Sequence, residues 1–359
     1  MADFSQYTGP SEEWLALEAT LPTLPNFASL EALKAEANAG REAIAAKALV
    51  AEGLQSQVSF RDYSIPSRDG ATLEARTYRP ASPPSSQPLP VYIHLHGGGF
   101  LLGTLASEDA ICSRIVVSLV AESTPVVVVN VNYRHTPELK YPTAWNDVED
   151  AFHWVHDHLA EIGGDGDQVI VGGISAGAHL TASLVLAQNL GTDETLSKRP
   201  KVTGQVLMIP ALVAQNCYAQ QLAKLKDPEV SSYVQNEHAP ILPVTRVEFF
   251  SGLLEHPGIE TDLRLNPGNA TAEQVQGLPP TTFGIAGRDP LRDEGLLYAM
   301  LLSENGVPTD VNVFTGLPHG FRRHSTLSES KRWDAVMNRG IKWALSGPTG
   351  TEDFVIKDE

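Results

Sequence analysis

Cysteine is almost absent: the 359 residues contain two, Cys112 and Cys217. Two thiols make no disulfide framework, so each reads as a small buried apolar residue, in keeping with a reducing compartment. Long apolar runs are missing as well. None reaches the ~18 residues of a membrane span, and the opening MADFSQYTGPSEEW lacks the apolar stretch of a secretory leader. The ending FVIKDE matches neither a KDEL-type nor an SKL-type address. The expectation is a cytoplasmic chain with no membrane span. Positive charge is scarce: 26 Lys and Arg stand against 43 Asp and Glu, a formal net charge of −17. That balance does not suit a phosphate backbone and excludes nucleic acid as the main partner. What is plentiful is apolar side chain, 42% of the residues, enough for one large α/β domain or two smaller ones.

The apolar residues are organised. SLEALKAEANAGREAIAAKALVAEGL reads as one or two amphipathic helices, set off from an earlier short segment by Pro22 and Pro25. Two extended runs around Asp69-Gly70 read as a hairpin, and ASPPSSQPLP as a surface loop. Strand-like runs then alternate with helical ones: VYIHLH, PVVVVNVNY, QVIVGGI and GQVLMIPAL are separated by helix patterns. Near-continuous Val and Ile mark strands covered on both faces, and the alternation implies a parallel sheet with right-handed crossovers. The rhythm breaks at about residue 212 and resumes near 270 with TTFGIAG, DVNVFTG and a last helix, WDAVMNRGIKWAL. The class is α/β, with about eight strands: an antiparallel pair first, then parallel ones.

The chemistry centres on GISAG, Gly173 to Gly177, directly after a strand and before a helix. A turn that tight strains the backbone of Ser175, and glycine at both flanks removes Cβ atoms that would clash. The serine is then presented at the carboxyl end of the sheet, beside a helix N-terminus whose N–H groups face developing anions. Alone, the five-residue pattern fits a close helix–sheet contact equally well. Distant features decide. HLHGGGF, residues 94 to 100, follows an early strand and offers N–H groups to an oxyanion. Asp289 follows TTFGIAG and His319 follows DVNVFTG, so both lie at the same sheet edge as Ser175, in the order Ser, Asp, His. His319 is placed to accept the serine proton, and Asp289 to hold its tautomer.

Other residues keep plainer readings. Asp293 and Glu294 read as acidic residues of a helix start. His153, His156 and His158 share one helix with no further ligand beside them, so no metal is expected. Tyr133 and Arg134 read as braces of the core. In the segment after 212, Tyr233, Phe249 and Phe250 are the candidates for the substrate entrance.

Taken in order, HGGGF, YRHTPELKYPTAWNDVEDAFHWV, GISAG, DPLRDEG and PHGF resemble the hormone-sensitive-lipase-like branch of the α/β hydrolases, over about residues 60 to 345. The resemblance implies an eight-stranded, mostly parallel sheet with strand 2 antiparallel, helices on both faces and a helical cap. The implied organisation is a cap segment at 1–57, core at 58–211, a cap insertion at 212–270, core again at 271–346 and a flexible tail at 347–359. It implies Ser175 as nucleophile, Asp289 as triad acid and His319 as base. Gly98, Gly99 and Ala176 form the oxyanion hole, Gly97 supports the loop, and His96 holds it in shape by hydrogen bonds. Members are mainly carboxylesterases for short- to medium-chain or aromatic esters, with no cofactor. The implied partner is a small-molecule ester, with monomer and homodimer both open. Two positions depart from the family: Ile174 stands where Asp or Glu is common, and Ala178 where a second glycine is common. Two other functions suit the same fold. One is acyl release, transfer, dehydration or cyclisation on a thioester or natural-product intermediate. The other is a non-catalytic small-molecule receptor, which the presence of His319 disfavours.

Overall fold

The computed structural model describes residues 1–22, 28–82, 87–350 and 353–358. Pro25, expected to separate two helical segments, and residues 83–86 of the Pro/Ser loop lie outside the described residues. Among the described residues nine strands form one sheet: β1 (Val58–Pro66), β2 (Thr72–Pro80), β3 (Leu89–Leu95), β4 (Val127–Asn132), β5 (Gly164–Ile174), β6 (Gly204–Met208), β7 (Thr281–Arg288), β8 (Thr309–Pro318) and β9 (Ile356–Lys357). Their spatial order is β1-β2-β4-β3-β5-β6-β7-β8-β9. β2 pairs antiparallel with both β1 and β4, and every other pairing is parallel.

The ninth strand comes from the segment expected to be a flexible tail. Ile356 and Lys357 pair with Val311 and Asn312 of β8. Lys357 Nζ reaches Asp310 at 2.6 Å, and the Lys357 carbonyl accepts from Arg332 at 2.9 Å. Two residues are too short to show a period of two, and their polar neighbours read as tail.

Strand alternation divides the core between two faces. Val127, Val129 and Val131 of β4 face one cluster, which includes Val148, Phe152 and Val155 of helix Thr143–Asp157 and Leu180 and Leu184 of helix Ala176–Leu190. Val128 of the same strand faces the other cluster, with Ile115 and Leu119 of helix Asp109–Ala121 and Trp333 and Val336 of helix Ser328–Leu345. Both cysteines are buried and unpaired, Cys112 in the second cluster and Cys217 in the first.

The N-terminal helix Leu30–Ala51 is one continuous element of 22 residues, capped by the Ser29 side chain. It meets the core through polar groups as well as apolar ones. Lys34 donates to the Thr136 carbonyl, Asn38 accepts from Gly103 N–H, Arg41 donates to the Gly97 carbonyl and Glu42 accepts from Thr104. Spacings of three and four place these side chains on one helical face. Between β6 and β7 the chain forms short helices and helix Val244–Leu254.

Candidate active site

Four strands deliver the chemistry at their carboxyl ends. β3 leads into His96–Gly99, β5 into Ser175, β7 into Asp289 and β8 into His319. β3 and β5 are direct neighbours, so the glycine loop lies beside the serine turn.

Ser175 has φ 54° and ψ −115°, a conformation L-residues rarely adopt. The turn is held on both sides: Ser175 N–H donates to the Met208 carbonyl at 2.8 Å, and its carbonyl accepts from His179 N–H at 3.0 Å. The flanking glycines are required by close approach. A Cβ on Gly177 would lie 2.0 Å from the Leu95 carbonyl oxygen, and one on Gly173 would lie 2.4 Å from the Gly177 carbonyl carbon. Ile174 packs its Cγ2 3.4 Å from where a Cβ on Gly97 would be. It joins the second core cluster, as Ile241 does.

Ser175, His319 and Asp289 form a continuous chain of hydrogen bonds. His319 Nε2 is 2.9 Å from Ser175 Oγ, and His319 Nδ1 is 2.7 Å from Asp289 Oδ2. Asp289 is 1% exposed and His319 8%, so the pair is screened from bulk water. The other Asp289 oxygen accepts from Leu291 N–H at 3.0 Å, and its carbonyl accepts from Asn236 at 3.2 Å. The segment between β6 and β7 therefore helps hold the acid in place.

The glycine loop turns sharply. Gly98 has φ 144°, Gly99 φ 62° and Phe100 φ 59°. A Cβ on Gly98 would meet the Leu102 carbonyl oxygen at 2.1 Å. Among the described residues, the N–H groups of Gly98, Gly99 and Ala176 donate to no other backbone group. The Gly97 carbonyl accepts from Arg41 Nη2 at 2.9 Å, and Arg41 also pairs with the buried Glu108 at 3.1 Å. Glu108 is held by His94 Nε2 at 3.0 Å, and these partners keep its carboxyl well below the usual range despite burial.

His96 makes one hydrogen bond to the loop, its Nδ1 lying 3.3 Å from the Gly97 carbonyl, and among the described residues its Nε2 has no partner. The ring also stacks on Tyr133 at 4.3 Å and lies edge-on to His135 at 5.2 Å. Tyr133 Oη donates to the His96 carbonyl at 2.7 Å, so this tyrosine braces the loop directly. Arg134 instead binds Asp147, at 2.6 Å.

The three entrance candidates separate. Phe250 lies on the glycine loop, with ring atoms 2.4–2.6 Å from where a Cβ on Gly99 would sit. Phe249 is 41% exposed and packs at a tilt on Phe250. Tyr233 packs edge-on against Tyr218 at 4.7 Å. Asp293 and Glu294 lie in the first turn of helix Arg292–Glu304, as expected, and both are fully buried. Asp293 pairs with Arg292 at 2.8 Å and accepts from Ser232 N–H, while Glu294 accepts from Leu212 N–H. Burial pushes the Glu294 carboxyl well above its ordinary range. His153 bonds with Arg199 and Thr195, and His158 stacks on Trp154. Among the described residues no group of His, Cys, Asp and Glu is arranged to hold a metal. A cavity of about 470 Å³ opens at the opposite edge of the sheet, beside Gln168, Thr203 and Pro280. No triad or glycine-loop residue lines it.

A family model for the α/β-hydrolase fold matches residues 92–323. The chain belongs to that family, in its hormone-sensitive-lipase-like branch of carboxylesterases. It is 34% identical over 253 residues to esterase LipI of Mycobacterium tuberculosis, covering 69% of this chain and 71% of that one. Among solved structures it is similar to vibralactone cyclase, with TM-score 0.83 and 27% identity over 95% of this chain and 96% of that one. It is also similar to a hyperthermophilic esterase of Pyrobaculum calidifontis, with TM-score 0.76 and 27% identity over 95% and 100% of the two chains.

Proposed function

We propose that Ser175, His319 and Asp289 carry out acyl transfer to water in this carboxylic ester hydrolase. The observation that carries the reading is His319, bonded through one nitrogen to Asp289 and through the other to Ser175. In that arrangement Nδ1 donates to the carboxylate, so Nε2 is free to take the serine proton as Oγ attacks the ester carbonyl. The negative oxygen that forms is received by the N–H groups of Gly98, Gly99 and Ala176, and the dipole of helix Ala176–Leu190 adds to their field. His319 then passes the proton to the leaving alkoxide. Water, activated by the same histidine, releases the acid. Phe250, lying on Gly99, limits the room beside the reacting carbonyl and favours short- to medium-chain or aromatic esters.

Turnover of a panel of p-nitrophenyl esters of increasing acyl length tests this reading. The expected result is hydrolysis by the wild type and its loss in Ser175→Ala. Wild-type turnover by Ser175→Ala would overturn it. The similarity to vibralactone cyclase supports a second reading, in which the acyl group passes to a hydroxyl of the substrate itself. Identification of the product, acid or cyclic ester, separates the two.

A further inference from the structure

Three arginines from three separate segments converge on the mouth of this site. Arg41 comes from helix Leu30–Ala51 and is bonded to the Gly97 carbonyl. Arg246 lies in helix Val244–Leu254, one turn before Phe250, so the face that covers Gly99 also carries this guanidinium. Arg323 follows His319 by four positions and folds back on Gly320. Its Nε donates to the Gly320 carbonyl at 3.3 Å, and its Nη2 is 3.4 Å from where a Cβ on Gly320 would be. Ile241 closes the arrangement. Its Cγ2 lies 3.8 Å from that same point, and its carbonyl accepts from Arg246 Nη1.

The charge of this cluster is unbalanced. The net charge of the chain is −17, and most of its arginines are paired with a carboxylate. Arg41 has one partner, Glu108. Among the described residues, Arg246 and Arg323 form no ion pair; each donates to a backbone carbonyl instead. Ile174, the side chain against Gly97, brings no counter-charge. Arg323 is exposed, and the charges of Arg41 and Arg246 lie near enough to act on its guanidinium. Like charges held together without a counter-ion raise the local concentration of anions. A guanidinium fork matches a planar carboxylate in particular.

We propose that Arg246 and Arg323 bind a carboxylate on the substrate, so that the preferred esters are half-esters of short dicarboxylic acids. The ester carbonyl lies at Ser175 and the free carboxylate on the two guanidiniums. Arg323 is hydrogen-bonded to Gly320, the residue after His319, so the carboxylate subsite adjoins the triad histidine, and a short diacid is the length to test. The inference rests on the Ser175–His319 reading above and names the substrate of that site.

The test compares kcat/KM for monoethyl succinate with that for diethyl succinate, using the full chain. The half-ester is expected to be preferred, and the preference to fall as sodium chloride is raised. In Arg246→Gln/Arg323→Gln the ratio of the two values should drop by about tenfold or more, the effect of losing hydrogen bonds to a charged group. Lysine at both positions should restore part of it. Ile174→Glu, which adds a carboxylate beside Gly97, should lower the ratio too. Succinate should inhibit wild-type hydrolysis of p-nitrophenyl acetate competitively, beyond sodium chloride of equal ionic strength; this arm does not depend on any variant folding. A diester preferred by the wild type, a ratio unmoved in the double glutamine variant, or succinate acting no differently from chloride would overturn the proposal. Those outcomes leave ester turnover by Ser175 intact. Turnover retained by Ser175→Ala would instead overturn the underlying site reading.

Discussion

At the scale of single residues, the peptide between Gly97 and Gly98 shows how the site is set. A trans peptide points its C=O and N–H in opposite directions. Arg41 binds the Gly97 carbonyl, and this fixes the direction of the Gly98 N–H, the group assigned to the oxyanion. Arg41 is therefore a positioning residue that acts from the N-terminal helix Leu30–Ala51. Arg41→Met should lower kcat on p-nitrophenyl acetate by about 10- to 100-fold, somewhat less than outright loss of an oxyanion donor, with a much smaller change in KM. Added guanidinium should recover part of the activity of Arg41→Ala, which a purely structural loss would not allow. Ser175→Ala should lower kcat by on the order of 10⁶, the scale seen when the nucleophile of a triad is removed. Steady-state kinetics on the purified variants checks both. Ile174 takes its meaning at this scale as well. It packs against Gly97 and brings no charge of its own to the loop.

At the scale of elements, what could be read from the sequence was what short motifs carry. GISAG, HGGGF, Asp289 and His319 each announce themselves because the backbone at a strand end demands glycine, or because a strand pattern stops just before them. The alternating Val and Ile runs likewise reveal buried strands. What could not be read depends on contacts distant in sequence. Arg41, Arg246 and Arg323 lie far apart in the chain and carry no local signature. The acidic pair Asp293 and Glu294 reads as a helix start and is one, but its burial against Leu212 and Ser232 has no local signal. Arg292 is the centre of that contact. It is fully buried, pairs with Asp293, and bonds Gln235 at 3.1 Å, the Val230 carbonyl at 3.3 Å and Thr8. One side chain thus ties the N-terminal segment and the 228–236 stretch to the start of helix Arg292–Glu304. Arg292→Met leaves Asp293 as a buried charge without its partner, and urea unfolding should show a loss of about 3–5 kcal/mol. The segment that supplies Asn236 to Asp289 should loosen with it, so activity should fall at urea concentrations below the global transition.

At the scale of the whole molecule, buried histidines set the response to acid. Burial lowers His96 and His179 to about 4, and it lowers His135 as well, to about 2. A histidine whose folded pKa lies below its unfolded value of about 6.5 is neutral in the native state and takes up a proton on unfolding. Its stabilisation is complete above about pH 6.5. It is lost as pH falls from there toward the folded value, because the unfolded chain is protonated first. Glu294 works in the opposite direction. Its raised pKa gives stability that is full below the unfolded carboxyl value and falls as pH rises. Thermal unfolding followed from pH 7 to pH 4 should show a falling Tm, and His135→Phe should flatten the slope. His96 and His135 pack beneath the glycine loop, so activity should be lost at or before the loss of fold. The sheet brings a strained serine, a buried His–Asp pair and three free N–H groups to one edge. Ser175 is the residue expected to become acylated there. The most direct measurement is mass spectrometry of the protein quenched during turnover of p-nitrophenyl acetate. An acetyl group is expected on the peptide that contains Ser175, formed with a burst of p-nitrophenolate and absent from Ser175→Ala. Acetyl on another residue, or undiminished turnover with Ser175 unmodified, would contradict it.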